Sequence, residues 1–311
     1  MPHIYPPAPP TISGDTITIS RFLQAPALVQ RRIRDIALNR FISDTLLQGR
    51  YEVSGGSLLY EQTESQFTNA APEATPPGGE YPRASATPGP AALAAITKWG
   101  QDVPITDEHI KRYGRRAMDV AFLKITNYLV KQVDSIALTA IGTAVTQSQA
   151  VVAAWNNASR DILLDLMLAQ SKINSQEQGY SADTVVTTDE GYARIVADRN
   201  IISGLARERG AGMTVTETGD VEEIAGLRIL PTNYLPSGVK ALVVDSSMLG
   251  GMGYERLESP EYQGDPANGV ETWSRRDPNA NDQWLVRGRR PVVPIVQEPL
   301  AGCIITGTAL S

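Results

Sequence analysis

The 311-residue sequence predicts an α+β protein shaped for contact with other chains. Three observations carry the prediction. From Thr106 to Gly142 one apolar stripe recurs at helical spacing over roughly eight or more turns, longer than one small domain needs. Residues 159–250 alternate helix-like and strand-like segments, the pattern of an α/β module. Residues 71–90, APEATPPGGEYPRASATPGP, hold six of the chain's 21 prolines and separate two strand-like stretches.

The first twenty residues, MPHIYPPAPPTISGDTITIS, open with a proline cluster that cannot be helical and continue with an alternating TITI, so they read as an extended arm. The next segment, PALVQRRIRDIALNRFISDTLLQG, places Pro26 at a helix start and Gly49 at a helix stop. Between them Leu28, Val29, Ile33, Ile36, Ala37, Phe41, Leu46 and Leu47 recur near helical spacing, which predicts one amphipathic helix. Its basic face, from Arg31, Arg32, Arg34 and Arg40, is either solvated or a contact for a polyanion.

RYEVSGGSLLYEQTE reads as a strand through Tyr51, Val53, Leu59 and Tyr60, interrupted at Gly55 and Gly56. AALAAITKWGQDVPI, beyond the proline-rich stretch, is extended again. Two such strands alone are at best marginally stable in water, so the excursion between them needs support from outside itself. The long helix then opens on Thr106 as N-cap, with Asp107 and Glu108 in the first turn where carboxylates complement the helix dipole. Ile110, Ala117, Ala121, Phe122, Ile125, Leu129, Val133, Ile136, Ala137 and Ala140 form its stripe, and Gly142 is the expected stop.

After it, SRDILLDLMLAQSKINSQEQG and DEGYARIVADR predict helices, and ADTVVTT, GLRILPTN and KALVVDSSMLG predict strands, the last two joined by the turn YLPSG. From Gly251 the chain is mostly extended, with Trp273, Trp284, Val286, Val292, Val293, Ile295 and Val296 in a sheet that completes a fold begun earlier.

A net charge of −6 argues against a dedicated nucleic-acid binder, because phosphate affinity comes from lysine and arginine. The lone Cys303 excludes an intrachain disulfide and a thiolate zinc site, and with no apolar signal after Met1 the expected compartment is cytoplasmic. No apolar run approaches the roughly 18 residues of a membrane span. His3 and His109 have no ligand spacing, and GxSxG and GxxxxGK[ST] are missing. GLARERGAG follows a helix and is crowded by Arg207, Glu208 and Arg209, which with GGMGYE makes a poor phosphate cradle. Glu222 and Glu223 are adjacent, so in a strand they face opposite ways and suit a hairpin surface better than a carboxylate pair. No catalytic, cofactor-binding or metal-ligating residue is assigned.

The order of parts, together with PALVQRRIRDIALNRFISDTLLQGR, GGSLLYEQ, PPGGEYP, TKWGQDVPITDEHIKR and VKQVDSIALTAIG, resembles the major capsid proteins of tailed bacteriophages with the HK97 fold, closest in look to those of phages infecting actinobacteria. The resemblance implies an N-arm at 1–47, an E-loop at 48–104, a P-domain with its spine helix at 105–158, an A-domain at 159–250 and a returning P-domain sheet at 251–311. It implies assembly in the host cytoplasm into pentamers and hexamers of an icosahedral virion shell around double-stranded DNA. Implied partners are other copies of the chain, a separate scaffolding protein, a portal and decoration proteins, with weak non-specific DNA contact through Arg31, Arg32 and Arg34. No membrane and no cofactor are implied. Lys98 is the one lysine of the E-loop, and no acidic catalyst is evident beside it, so no covalent cross-link is expected. The alternatives are an encapsulin-like compartment of the same fold and, further off, a soluble α/β enzyme. The proline-rich tip is expected to project from a single chain and to rest on a neighbour.

Overall fold

The computed structural model describes residues 23, 25, 28–29, 31, 33, 41–63, 67–86, 88–198, 200–201, 223–257, 259, 261–267, 269–279 and 282–310. Its first labelled elements are helix α1 (Ile42–Leu46) and strands β1 (Gly49–Glu52), β2 (Ser57–Glu61), β3 (Ala91–Ala95) and β4 (Thr97–Thr106). Helices α2 (Asp107–Tyr113) and α3 (Arg115–Ala144) follow, then β5 (Ser148–Ala150), α4 (Ile162–Asn174), β6 (Thr184–Thr187) and α5 (Asp189–Val196). The remainder is strand: β7 (Glu223–Ile224), β8 (Leu227–Pro231), β9 (Ala241–Val244), β10 (Gly250–Tyr254), β11 (Glu271–Arg276), β12 (Gln283–Val296) and β13 (Gly302–Thr306).

The fourteen-residue β12 organises the first sheet. Its N-terminal half lies between β11 and β4, and its C-terminal half pairs antiparallel with β10, which in turn takes β1 in parallel. Helix α3 lies against this sheet through Phe122, Ile125, Leu129 and Val133, all buried, as the stripe predicts. Ala117, Ala121 and Ala137 are buried too, whereas Ile110, Ile136 and Ala140 are only half-buried. The seam instead includes Met118, Val130, Leu138 and Ile141, because neighbours at i+1 and i+4 share one broad face of a 3.6-residue helix.

Two helix expectations are corrected. Thr106 does cap α2, its side chain accepting the His109 amide at 3.3 Å, but Gly114 (φ 56°, ψ −137°) breaks the single predicted helix before α3 begins. Gly142 does not end it. A β-carbon there would meet Pro236 Cγ at 2.9 Å, so this glycine serves close packing, and α3 continues to Ala144. The predicted helix over 26–49 is likewise interrupted. Leu28, Val29, Arg31 and Ile33 are helical, but Phe41 is extended (φ −81°, ψ 103°), a new turn starts at Ile42, and Gly49 opens β1 instead of closing a helix. Arg32, Arg34 and Arg40, like residues 1–22, lie outside the described residues.

The second sheet has the order β5-β13-β9-β6-β8-β7. Strands β6 and β9 are buried at every position, which is why ADTVVTT and ALVV read as continuous apolar runs. The strands joined by YLPSG are not neighbours, for β6 lies between β8 and β9. The expectation that everything after Gly251 returns to one sheet is also corrected. The turn Pro299–Ala301 redirects the chain, and β13 pairs with β9 and β5 in the second sheet, burying Cys303. β5, ahead of the predicted module, joins the same sheet. Strands β2 and β3 pair only with each other, as a separate ribbon.

Candidate assembly interface

The ribbon leaves the molecule at Val53. Gly55 (φ 100°) and Gly56 (φ 78°) turn the chain out of β1, and β2 then runs antiparallel to β3 with Leu59 opposite Leu93. Side chains alternate across a strand, so one ribbon face carries Leu58, Tyr60, Ala92 and Ala94, all half-buried, and the other carries Ser57, Leu59, Glu61, Ala91, Leu93 and Ala95. On that second face Leu59 is 69% and Leu93 70% exposed. Directly opposed leucines facing water are an unpaired apolar surface, and such surface marks a contact site when it is contiguous.

Among the described residues the ribbon meets the body on either side of β2: the Gly55 amide donates to Glu255 Oε1 at 3.4 Å ahead of it, and further bonds lie beyond its end. The Gln62 side-chain amide donates to Val296 O at 3.1 Å, the Thr63 amide donates to Gln297 O at 2.9 Å, and Tyr51 donates through its hydroxyl to Gln297 Oε1 at 2.6 Å. A cleft of about 600 Å³ lies beneath it, lined in part by Leu58, Tyr60, Met248 and Glu298. Beyond these ties, residues 67–86 and 88–90 are exposed almost throughout, with Tyr81 at 83%. Their own cross-ties are few: Asn69 exchanges hydrogen bonds with Ser85, its amide reaching Ser85 O at 3.2 Å and its Oδ1 accepting the Ser85 amide at 2.8 Å, and Gly79 donates to Pro76 O at 2.9 Å. The tip projects, as expected.

The body that carries the ribbon is braced by buried charge. Arg290, fully buried, places Nη2 at 2.8 and 2.9 Å from the Asp44 carboxylate and stacks over Phe41, which fixes α1 to β12. Arg289 pairs with Glu271 at 2.6 Å and lies over the Tyr262 ring. Asp134, buried on α3, accepts the amides of Ile42 and Ser43 and the Ser43 hydroxyl, so it caps α1 from a distant part of the chain. Burial pushes its carboxyl above the usual aspartate value, against the opposing effect of the Ser43 and Ile42 hydrogen bonds. No local sequence signal marks this cap, because its two halves are 91 residues apart.

None of the candidate residues for chemistry converge. His109 is exposed and rests on Tyr113, with ring centroids 4.8 Å apart. Cys303 is buried, and burial pushes its thiol up, away from the thiolate a nucleophile needs. GGMGYE contains β10, buried between β1 and β12, and forms no phosphate loop. GLARERGAG and Glu222 lie outside the described residues, and Glu223 is exposed on the β7–β8 hairpin. Lys98 is on β4, in register with Pro291, inside the first sheet and not on the ribbon. Arg31 is exposed. Among the described residues no cluster of His, Cys, Asp and Glu has metal-binding form, and no helix is long and apolar enough to cross a membrane.

A sheet crossed by a long helix, an α/β module on a second sheet and a projecting ribbon define an HK97-like shell fold. Solved structures share it. The capsid of cyanophage P-SCSP1u aligns over 85% of this chain and 87% of its own with TM-score 0.62 and 15% identity. A chain of the Microbacterium phage Oxtober96 structure aligns over 86% and 90% with TM-score 0.55 and 11% identity. The virus-like particle of Pyrococcus furiosus aligns over 88% and 98% with TM-score 0.53 and 12% identity. No curated protein sequence matches the chain. The family model described as phage capsid protein matches residues 90–305, and the chain belongs to that family. It is a major capsid protein of a phage virion, and the match favours this over the encapsulin-like alternative.

Proposed function

We propose that this chain acts structurally, not catalytically, by polymerising into pentamers and hexamers that close an icosahedral shell around double-stranded DNA. The observation that carries the proposal is the ribbon with its exposed Leu59–Leu93 face and projecting proline-rich tip, surface that a solitary subunit leaves in water. Seating it on a neighbour would return roughly 25 cal/mol per Å² of apolar area, less the ordering and association costs. Prolines reduce those ordering costs, because they restrict the free loop and bring no amide donor that must be satisfied. A closed shell multiplies weak contacts of this kind and leaves subunits free to shift as it matures.

In the proposed division of labour, residues 1–47 form the N-arm, 48–104 the reaching E-loop, 105–158 with 251–298 the P-domain, and 159–250 with the returning β13 the A-domain around the local symmetry axes. Strand β1 ties the start of the E-loop segment into the P-domain sheet, and β5 and β13 extend the A-domain sheet. Assembly would take place in the host cytoplasm with a separate scaffolding protein, a portal and decoration proteins. Electron microscopy of the expressed chain, with and without a co-expressed scaffold, tests the proposal. Closed shells are the expected result; filaments or free monomers under all conditions would overturn it.

A further inference from the structure

The long helix has a second face. On α2 and α3 the exposed side chains between residues 111 and 131 include Lys111, Arg112, Arg116, Lys124 and Lys131. At about 100° per residue, Arg116, Lys124 and Lys131 fall within roughly 80° of one another, along about 22 Å of helix. Asp119 is the acid within this stretch; it is half-buried, already engaged, and lies at the edge of the arc. Glu108 is exposed about one turn earlier.

Elsewhere on the described surface, cations are either paired or scattered. Arg160, Arg194, Arg256, Arg275, Arg276 and Arg287 each lie within 4.0 Å of a carboxylate. Among the described residues none of Lys111, Arg112, Arg116, Lys124 and Lys131 has such a partner. Other exposed cations without a carboxylate within 4.0 Å, among them Arg83, Lys98 and Arg228, are scattered over separate elements, whereas α2 and α3 gather five in one helical segment. Tyr128, 57% exposed, lies one turn beyond Lys124 at the edge of the same arc and adds a hydroxyl donor.

We infer that this face of the long helix is the lumenal surface that meets packaged double-stranded DNA, in place of the basic segment around Arg31. The inference rests on the shell function proposed above. The chemistry is that of phosphate neutralisation: a row of separated point charges on long side chains touches backbone phosphates without reading bases, and each contact releases counterions. A few such contacts give an affinity that collapses with salt, which suits DNA that must slide during packaging. The sheet on the opposite side of α3 holds the row straight.

The test uses the full-length chain in unassembled form and a fluorescent 30-base-pair duplex of mixed sequence, with anisotropy read across a salt series. Removing one phosphate contact reduces the slope of log K against log salt by roughly 0.9, so a variant carrying Arg116→Gln, Lys124→Gln and Lys131→Gln is expected to lose about 2–3 from the slope. Affinity at low salt should fall by about tenfold or more. Arg31→Gln and Arg256→Gln are expected to leave the slope unchanged. Circular dichroism of the triple variant, with Lys124→Gln alone as the mildest change, separates the removal of charge from a failure to fold. An unchanged slope in a folded triple variant, or a slope that instead follows Arg31, overturns the inference. So does tighter binding of a polyglutamate peptide than of the duplex, which would assign the stripe to an acidic protein. Shells that form normally while the slope stays unchanged would sink this inference and leave the shell function standing; a chain that forms no shells fails on the other count.

Discussion

Gly288 of β12 lies directly beneath Ile125 of the long helix. A β-carbon at 288 would come within 2.7 Å of Ile125 Cγ2 and 3.0 Å of Leu129 Cδ1, so the absence of a side chain sets how closely helix and sheet approach. Ile125 branches at its β-carbon and has little freedom to move aside. Gly288→Ala is therefore expected to lower the stability of the unassembled subunit by about 1–3 kcal/mol through overpacking, and Gly288→Val by more. Denaturant midpoints of the purified variants check this; an unchanged midpoint for Gly288→Val would show that the contact is loose.

The cap that Asp134 provides for α1 makes stability depend on pH. Its carboxyl titrates above the ordinary aspartate value because burial disfavours the charge, so just above that value the unfolded chain has released the proton and the folded chain still holds it. With fewer protons bound in the unfolded state, stability falls as pH rises through this window. Asp134→Asn keeps one acceptor oxygen and removes the titration, so its stability should be flatter in pH. Asp134→Ala strands the Ile42 and Ser43 amides and should cost about 2–4 kcal/mol at the acid end of this window, where the wild-type protein gains most from the group, and less above it. Unfolding curves between pH 4 and 8 distinguish the two, and a wild-type and Asp134→Asn pair with identical slopes would refute the assignment.

The long helix, the alternating module and the exposed ribbon were legible because each is written in local periodicity: the Phe122 to Val133 stripe, the buried runs at 184–187 and 241–244, and the pair of strands around the prolines. What was not legible depends on distant partners. Phe41 looked helical in its own neighbourhood, but Asp134 starts a new helix one residue later. Gly142 and Gly114 are identical as letters, and only packing against Pro236 at one and a positive φ at the other decide which of them ends a helix. GCIIT suits either sheet, and β9 supplies the edge that β13 takes. The unneutralised helix face was hidden for a related reason, since the sequence shows where cations are and not which of them have carboxylates across the fold.

Assembled shells should come apart without residue of covalent linkage. Lys98 is exposed on β4 and makes no ion pair among the described residues, while the nearby Asp102 is held by Arg287 at 2.6 Å. An amide bond from a lysine needs a carboxylate or buried base to take its proton, and among the described residues of the subunit no such group is placed there. Shells boiled in detergent are expected to run as a single 33.6 kDa band. A ladder of pentamer- and hexamer-sized bands would overturn the expectation.

The ribbon offers the sharpest separation of folding from assembly. Leu59 and Leu93 face each other across β2 and β3, and both are exposed in the single subunit, so replacing them leaves the two sheets and their shared core untouched. Burying each on a neighbour is worth about 1.5–3 kcal/mol at most, and each loss recurs at every subunit of a closed shell. The double variant Leu59→Ser, Leu93→Ser is therefore expected to keep the wild-type thermal midpoint within a few degrees while its threshold concentration for shell formation rises tenfold or more. Light scattering across a dilution series, with electron microscopy of the product, measures the threshold. If the variant assembles at the wild-type concentration, the exposed leucine pair is not part of the contact. If its thermal midpoint falls by ten degrees, the ribbon supports the fold of its own subunit. Either outcome would move the assembly contact to the projecting loop around Tyr81, whose substitution by serine is the next variant to compare.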